Sequence, residues 1–220
     1  MDLLIFDLDG TLIDSKQDLA LSVNATRAHM RMAPLDIGQI SSYVGSGAPI
    51  LIRRALGAEA TEAQIEESLE FFLEYYREHK LDHTRLYPGV QESLDRLRAA
   101  GKRLAVLTNK PVAPSRGIVE GLGLSEHFFR VYGGNSFDFK KPHPIGVTTL
   151  MAEAGVERAA TMMVGDSGVD VQTARNASVQ SCGVTYGFAP ETLLDPAPDL
   201  LVDDLRKLAD WALQSGSASG

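Results

Sequence analysis

The stretch "LLIFDLDGTLIDS", residues 3–15, decides the fold. Four apolar residues run without a break into two carboxylates, Asp7 and Asp9, which are followed at once by Gly10 and Thr11. Such a run reads as a core strand that ends in a polar turn. Side chains alternate faces along a strand, so Asp7 and Asp9 are expected to point to the same side. Like charges that close repel, and one carboxyl pKa is expected to rise unless a cation or a proton lies between them. The pair therefore predicts a metal or a shared proton.

Outward from this strand the chain has two textures. Residues 16–83 are helical in pattern, with apolar residues at three- and four-residue spacings in "KQDLALSVNATRAHM" (16–30), "APILIRRALG" (48–57) and "TEAQIEESLEFFLEYYREHK" (61–80). Thr61 with Gln64 forms a capping box for the longest of these. The aromatic cluster "FFLEYY" is expected to be the core of this helical unit. After the turn "LYPGV" (86–90), helix and strand alternate: helix 91–100, strand "RLAVLTN" (103–109), helix 113–121, strand "RVYGG" (130–134), helix 144–154, strand "TMMVGD" (161–166), helix 169–177 and strand "QSCGVTYG" (180–187). Short apolar strands joined by helices of that length call for parallel pairing with right-handed crossovers. The expected fold is α/β, a doubly wound, Rossmann-like parallel sheet. The helical block interrupts that pattern after its first strand and is too large for a loop. It reads as an inserted α-helical cap. The expected division is a core of residues 1–14 and 85–214, a cap of residues 15–84, and a flexible tail at 215–220, "SGSASG". The segment "DDLRKLADWALQ" (203–214) reads as a last amphipathic helix on the sheet, and the crossings near 13–16 and 83–88 read as hinges.

Composition narrows the function. Asp plus Glu outnumber Lys plus Arg by 29 to 21 across 220 residues, a net charge of -8 that repels a nucleic-acid backbone. No run of about 18 apolar residues could span a bilayer, and the start lacks a basic region leading into an apolar signal segment. A single cysteine, Cys182, excludes an internal disulfide and is expected to be a small buried apolar residue. The expected setting is cytoplasmic, with a monomer or homodimer as the assembly. His29, His79, His83, His127 and His143 have no metal-ligand spacing and are expected on the surface or in packing roles.

In an open parallel sheet, ligands bind beyond the carboxyl ends of the strands. Asp7 and Asp9 stand at one such end, Thr108, Asn109 and Lys110 at a second, Asp166 at a third with Asp170 just behind it, and Lys140 and Lys141 in the loop "FKKPHP". Four carboxylates, Asp7, Asp9, Asp166 and Asp170, suit a hard cation such as Mg²⁺. A hydroxyl, an ammonium and helix N-termini suit a phosphoryl group. Together they describe phosphoryl transfer with an aspartate nucleophile, and the expected partner is a small phosphorylated metabolite.

"DLDGT" (7–11), Thr108 after a strand, Lys141 before Pro142 and "GDSGVD" (165–170) resemble, in that order, the four motifs of the haloacid dehalogenase superfamily. The resemblance implies that Asp7 is the nucleophile that forms an aspartyl-phosphate and Asp9 the general acid and base. It further implies that Thr108 and Asn109 hold the phosphoryl oxygens, that Lys141, in preference to Lys140, neutralises nucleophile and phosphate, and that Asp166 and Asp170 complete the Mg²⁺ site, Asp170 positioning the metal or the lysine. An acid at position 9 fits a phosphatase and not a dehalogenase, whose halide leaves without a proton. The stretches "RLYPGV", "TNKP", "KKPHP" and "GVTYGF" resemble the phosphoglycolate phosphatase group, with pyrophosphatase, sugar phosphatase or phosphomutase as alternatives. A non-enzymatic sensor of phosphate metabolites could use the same cradle. In the cap, Gly45, Ser46, Gly47 and Arg53 are expected to contact the leaving group, with Arg53 or Arg54 reaching a carboxylate.

Overall fold

The computed structural model describes residues 1–214, so the expected tail at 215–220 lies outside the described residues. The chain begins with β1 (Leu3–Phe6) and a two-residue β2 (Ile13–Asp14). Four helices follow: α1 (Lys16–His29), α2 (Ile37–Ser41), α3 (Ala48–Leu56) and α4 (Glu62–His79). The return strand β3 (Arg85–Leu86) leads into α5 (Val90–Ala99), β4 (Arg103–Leu107), α6 (Val112–Gly121), β5 (Arg130–Tyr132) and α7 (Ile145–Ala154). The chain closes with β6 (Thr161–Gly165), α8 (Gly168–Ala177), β7 (Gln180–Val184), β8 (Leu200–Val202) and α9 (Leu205–Gln214). Among the described residues, no helix is long and apolar enough to cross a membrane.

Six strands pair in the order β5-β4-β1-β6-β7-β8, every pair parallel. This is the doubly wound sheet that the alternating pattern implies. All four residues of β1 are fully buried, and their side chains divide between the two faces. Leu4 and Phe6 join one core with Leu94, Val106, Val164 and Leu208, whereas Leu3 and Ile5 join the other with Ala105, Val147, Leu150 and Met163. An unbroken apolar run is what a central strand with helices on both faces requires. The chain first builds outward from β1 through β4 to β5 and then jumps back to β6 on the other side of β1. The order therefore reverses at β1, where Asp7 leaves the sheet. Cys182 is buried in β7, and burial pushes its thiol up to about 12, as a packing residue requires.

Four elements were not anticipated. β8 adds an edge strand; α2 is one short helix; and β2 pairs antiparallel with β3, Ile13 facing Leu86 and Asp14 facing Arg85. That last pair ties the two chain crossings into one ribbon. The capping box on α4 forms as expected, with the Thr61 amide donating to Gln64 Oε1 at 2.9 Å and the Gln64 amide to Thr61 Oγ1 at 3.3 Å.

Candidate active site

The strand ends bring residues from positions 7 to 170 into one cluster. Asp7 continues the line of β1, its amide donating to the Val164 carbonyl at 2.9 Å. Its Oδ1 accepts from the Leu8 amide at 2.7 Å and faces the Lys141 ammonium at 3.0 Å. The same ammonium lies 2.6 Å from Asp170 Oδ1. Asp170 sits in the first turn of α8 and is held by the Ser167 hydroxyl at 2.7 Å and the Ser167 amide at 3.2 Å. Asp166, at the end of β6, accepts from the Phe188 amide at 2.6 Å and the Thr11 hydroxyl at 3.3 Å.

Asp7, Asp166 and Asp170 are all buried, and each offers an oxygen within 4.8 Å of the others. Three carboxylates against the one ammonium of Lys141 leave an excess of two negative charges when all are ionised. The donors are oxygen alone, the set that suits a hard divalent cation. Close approach is possible because position 10 is glycine at φ +81°, where a Cβ would meet Asp166 Oδ2 at 2.2 Å. The residues thus fit a metal ion.

The electrostatics correct one expectation. Asp7 is pushed up to about 6, first by burial, with Lys141 opposing and Asp170 adding to the rise. Asp166 is pushed up to about 7 by burial, then by Asp170 and Asp7. The like charge that matters is thus Asp170, not Asp9. Burial would lower the Lys141 pKa, but Asp170 and Asp7 outweigh it and hold the ammonium above its usual range.

Asp9, expected among the metal ligands, stands outside the carboxylate triad. Both its oxygens face Lys110 Nζ, at 3.0 and 2.9 Å, and the Ser15 hydroxyl donates to Oδ1 at 2.5 Å. Lys110 is buried beneath the ring of Tyr76, 4.4 Å from its centroid. Sequence reasoning assigned no role to Lys110 or Ser15 and read Tyr76 as packing. The signal for Lys110 was its place directly after Thr108 and Asn109 at a strand end.

A cavity of about 60 Å³ lies over these groups. Asp7, Asp9, Thr108, Asn109, Lys110 and Asp166 reach it from the sheet side, and Leu19, Val44, Leu51, Phe72, Leu73 and Tyr76 reach it from the helical segment. Thr108 is buried, its Oγ1 accepting from the Lys110 amide at 3.2 Å. Asn109 Nδ2 donates to the Gly45 and Lys141 carbonyls, both at 3.0 Å, while its Oδ1 is buried without a partner. Gly45 and Gly47 line the cavity, and the Ser46 carbonyl accepts from Lys140 Nζ at 2.6 Å. Arg53 is not brought to the site: its guanidinium forks onto Glu62, both bonds 2.7 Å, and it lines a separate cleft with Arg54. None of the five histidines lines the cavity.

Residues 4–184 match the family of haloacid dehalogenase-like hydrolases. A phosphoglycolate phosphatase of Agrobacterium fabrum is 39% identical over 209 residues, 94% of this chain and 90% of that protein. One from Chromobacterium violaceum is 40% identical over 209 residues, 93% of each chain. A crystal structure described as a predicted phosphoglycolate phosphatase from Haemophilus somnus superposes with a TM-score of 0.90 at 33% identity, covering 96% of this chain and 97% of that one.

Proposed function

Because the chain belongs to the haloacid dehalogenase-like hydrolases and is a phosphoric monoester hydrolase, we propose that it is a Mg²⁺-dependent phosphatase that releases glycolate from 2-phosphoglycolate through an aspartyl-phosphate. The observation that carries the reading is the convergence of Asp7, Asp166, Asp170 and Lys141 in one buried cluster beneath a cavity that Asp9 and Thr108 also line. The metal, held by Asp7, Asp166 and Asp170, would offset the charge of the transferring phosphoryl group. Both bonds to Asp7 fall on Oδ1, which leaves Oδ2 to attack phosphorus as the bond to the ester oxygen breaks. Asp9 delivers a proton to that oxygen and later takes one from the water that cleaves the acyl phosphate. Lys141 and the Thr108 hydroxyl orient the phosphoryl oxygens. The helical segment 15–84 serves as the cap that excludes bulk water.

A cavity of only about 60 Å³ supports a small ester, and relatives at about 40% identity carry the phosphoglycolate phosphatase name. The test is inorganic phosphate release with Mg²⁺ from 2-phosphoglycolate, pyrophosphate, a sugar phosphate and an aryl phosphate, compared by kcat/KM. We expect 2-phosphoglycolate to lead and Asp7→Asn to abolish turnover in a folded protein. Another ester ahead by orders of magnitude overturns the substrate. Tight binding of the esters with no release makes the protein a sensor.

A further inference from the structure

Among the described residues that line the cavity, Lys110 is the only lysine or arginine. Lys141 lies beneath it, shared between Asp7 and Asp170. Arg53 is committed to Glu62, and Lys140 to the Ser46 carbonyl. The helical segment contributes the apolar side chains of Leu19, Val44, Leu51 and Phe72 to the same lining. Among the described residues, Lys110 is therefore the lining cation available to an anionic group on the leaving side of a substrate.

The immediate surroundings of Lys110 leave room for such a contact. An ammonium has three donors. The two oxygens of Asp9, at 3.0 and 2.9 Å, engage it on one side, and the face of Tyr76, 4.4 Å away, covers another. The Tyr76 hydroxyl interacts electrostatically with the ammonium, yet it is buried and makes no bond of hydrogen-bond geometry. A donor resting on a π face and a buried hydroxyl without a bond would both be better satisfied by a carboxylate, through charge-assisted hydrogen bonds.

We infer that Lys110, together with the Tyr76 hydroxyl, is the specificity-determining point that receives the carboxylate of an anionic leaving group, the role first expected of Arg53. The inference rests on the phosphatase reading above. It divides the substrate between two anchors, the phosphoryl group against Asp7, Thr108 and Lys141, and the carboxylate toward Lys110.

The measurement is the ratio of kcat/KM for 2-phosphoglycolate to that for 2-hydroxyethyl phosphate, which replaces the carboxylate by a hydroxymethyl group. Wild type is expected to favour 2-phosphoglycolate. Lys110→Gln should lower the ratio by about 30-fold or more, chiefly through KM, and Tyr76→Phe by about 5-fold, because a site built for a polar group discriminates through that group. Lys110→Arg should recover part of the loss. Equal losses on both esters in Lys110→Gln, with the ratio kept, would show that Lys110 only orients Asp9 and overturn the inference. If Lys110→Gln does not fold, an unchanged ratio in Tyr76→Phe overturns it instead. Wild type that hydrolyses both esters alike also overturns it and leaves the phosphatase reading standing. Wild type that hydrolyses neither overturns that reading; calorimetric binding of the two esters to wild type and Lys110→Gln then decides, and only a preference for 2-phosphoglycolate lost in the variant upholds the inference.

Discussion

Asp7 and Asp166 hold their protons up to about pH 6 and about pH 7, far above an exposed aspartate. In the metal-free protein they therefore favour the folded state below the ordinary pKa near 4, and that stabilisation is lost as pH rises through 6 and 7, because the folded chain binds more protons than the unfolded one in that window. A divalent cation replaces those protons, so its binding should release them. The thermal shift produced by Mg²⁺ should grow from pH 5.5 to pH 7.5, and Asp166→Asn should flatten the metal-free pH profile across the same range. A Mg²⁺ shift of equal size at both pH values, or no shift at all, would refute this account. The carboxylates and Lys141 were legible in the sequence because each follows a strand or a loop that a parallel sheet must bring to one edge. Burial depth was not legible, so the cause of the raised pKa was assigned to Asp9 when it lies in desolvation and Asp170. Arg53 was misplaced for a similar reason, since the position of α3 gives no direction for the guanidinium and Glu62 lies in reach of it.

At the level of elements, the ribbon of β2 with β3 is braced by Asp18 of α1. This carboxylate is fully buried and accepts from the Thr84 amide at 2.8 Å, the Thr84 hydroxyl at 2.7 Å and the His83 amide at 3.0 Å, with His83 Nδ1 at 2.9 Å. Burial alone would raise its pKa, but the hydrogen bonds from Thr84 and His83 outweigh that and lower it. Asp18→Ala leaves several buried donors unpaired and should cost about 2–4 kcal/mol, read as a lower midpoint in urea. A depressed pKa places this contribution above pH 4 and removes it as pH falls further, so the gap between wild type and Asp18→Ala should narrow in acid, opposite in sign to the effect of Asp7 and Asp166. A cost below about 0.5 kcal/mol would mean that the ribbon does not depend on this brace. The core strands were readable as apolar runs and the long helices as periodic ones. The two-residue β2 and β3 were not, because a pair that short carries no periodicity. β8 escaped because only Leu200–Val202 separate Pro198 and Asp199 from Asp203 and Asp204.

In the molecule as a whole, the helical segment meets the core across the cavity at Tyr76 over Lys110 and at the turn of residues 45–47, which rests on the loops after β4 and before α7. Asn109 Nδ2 reaches the Gly45 carbonyl, and Lys140 Nζ the Ser46 carbonyl. If the helical segment is a cap, these contacts must part for product to leave and re-form over the next substrate. Gly47 packs closely on the core: a Cβ there would lie 2.9 Å from the Asn109 carbonyl oxygen and 3.2 Å from Lys140 Nζ. Gly45 supplies the control, since it too has positive φ, +111° against +89°, but a Cβ there meets nothing within 4 Å. Alanine at either position carries the backbone strain of the left-handed side of the map; only alanine at 47 also pushes the turn off the core. Gly47→Ala should therefore raise KM by about 10-fold or more relative to Gly45→Ala, because misplacement of about 1 Å is felt strongly at a positioned site. Amide exchange should quicken around both the turn and Asn109 in Gly47→Ala, and only around the turn in Gly45→Ala. Should the two variants match in KM and in exchange, seating of this turn would play no part in catalysis, and the cavity would have to close by some other contact.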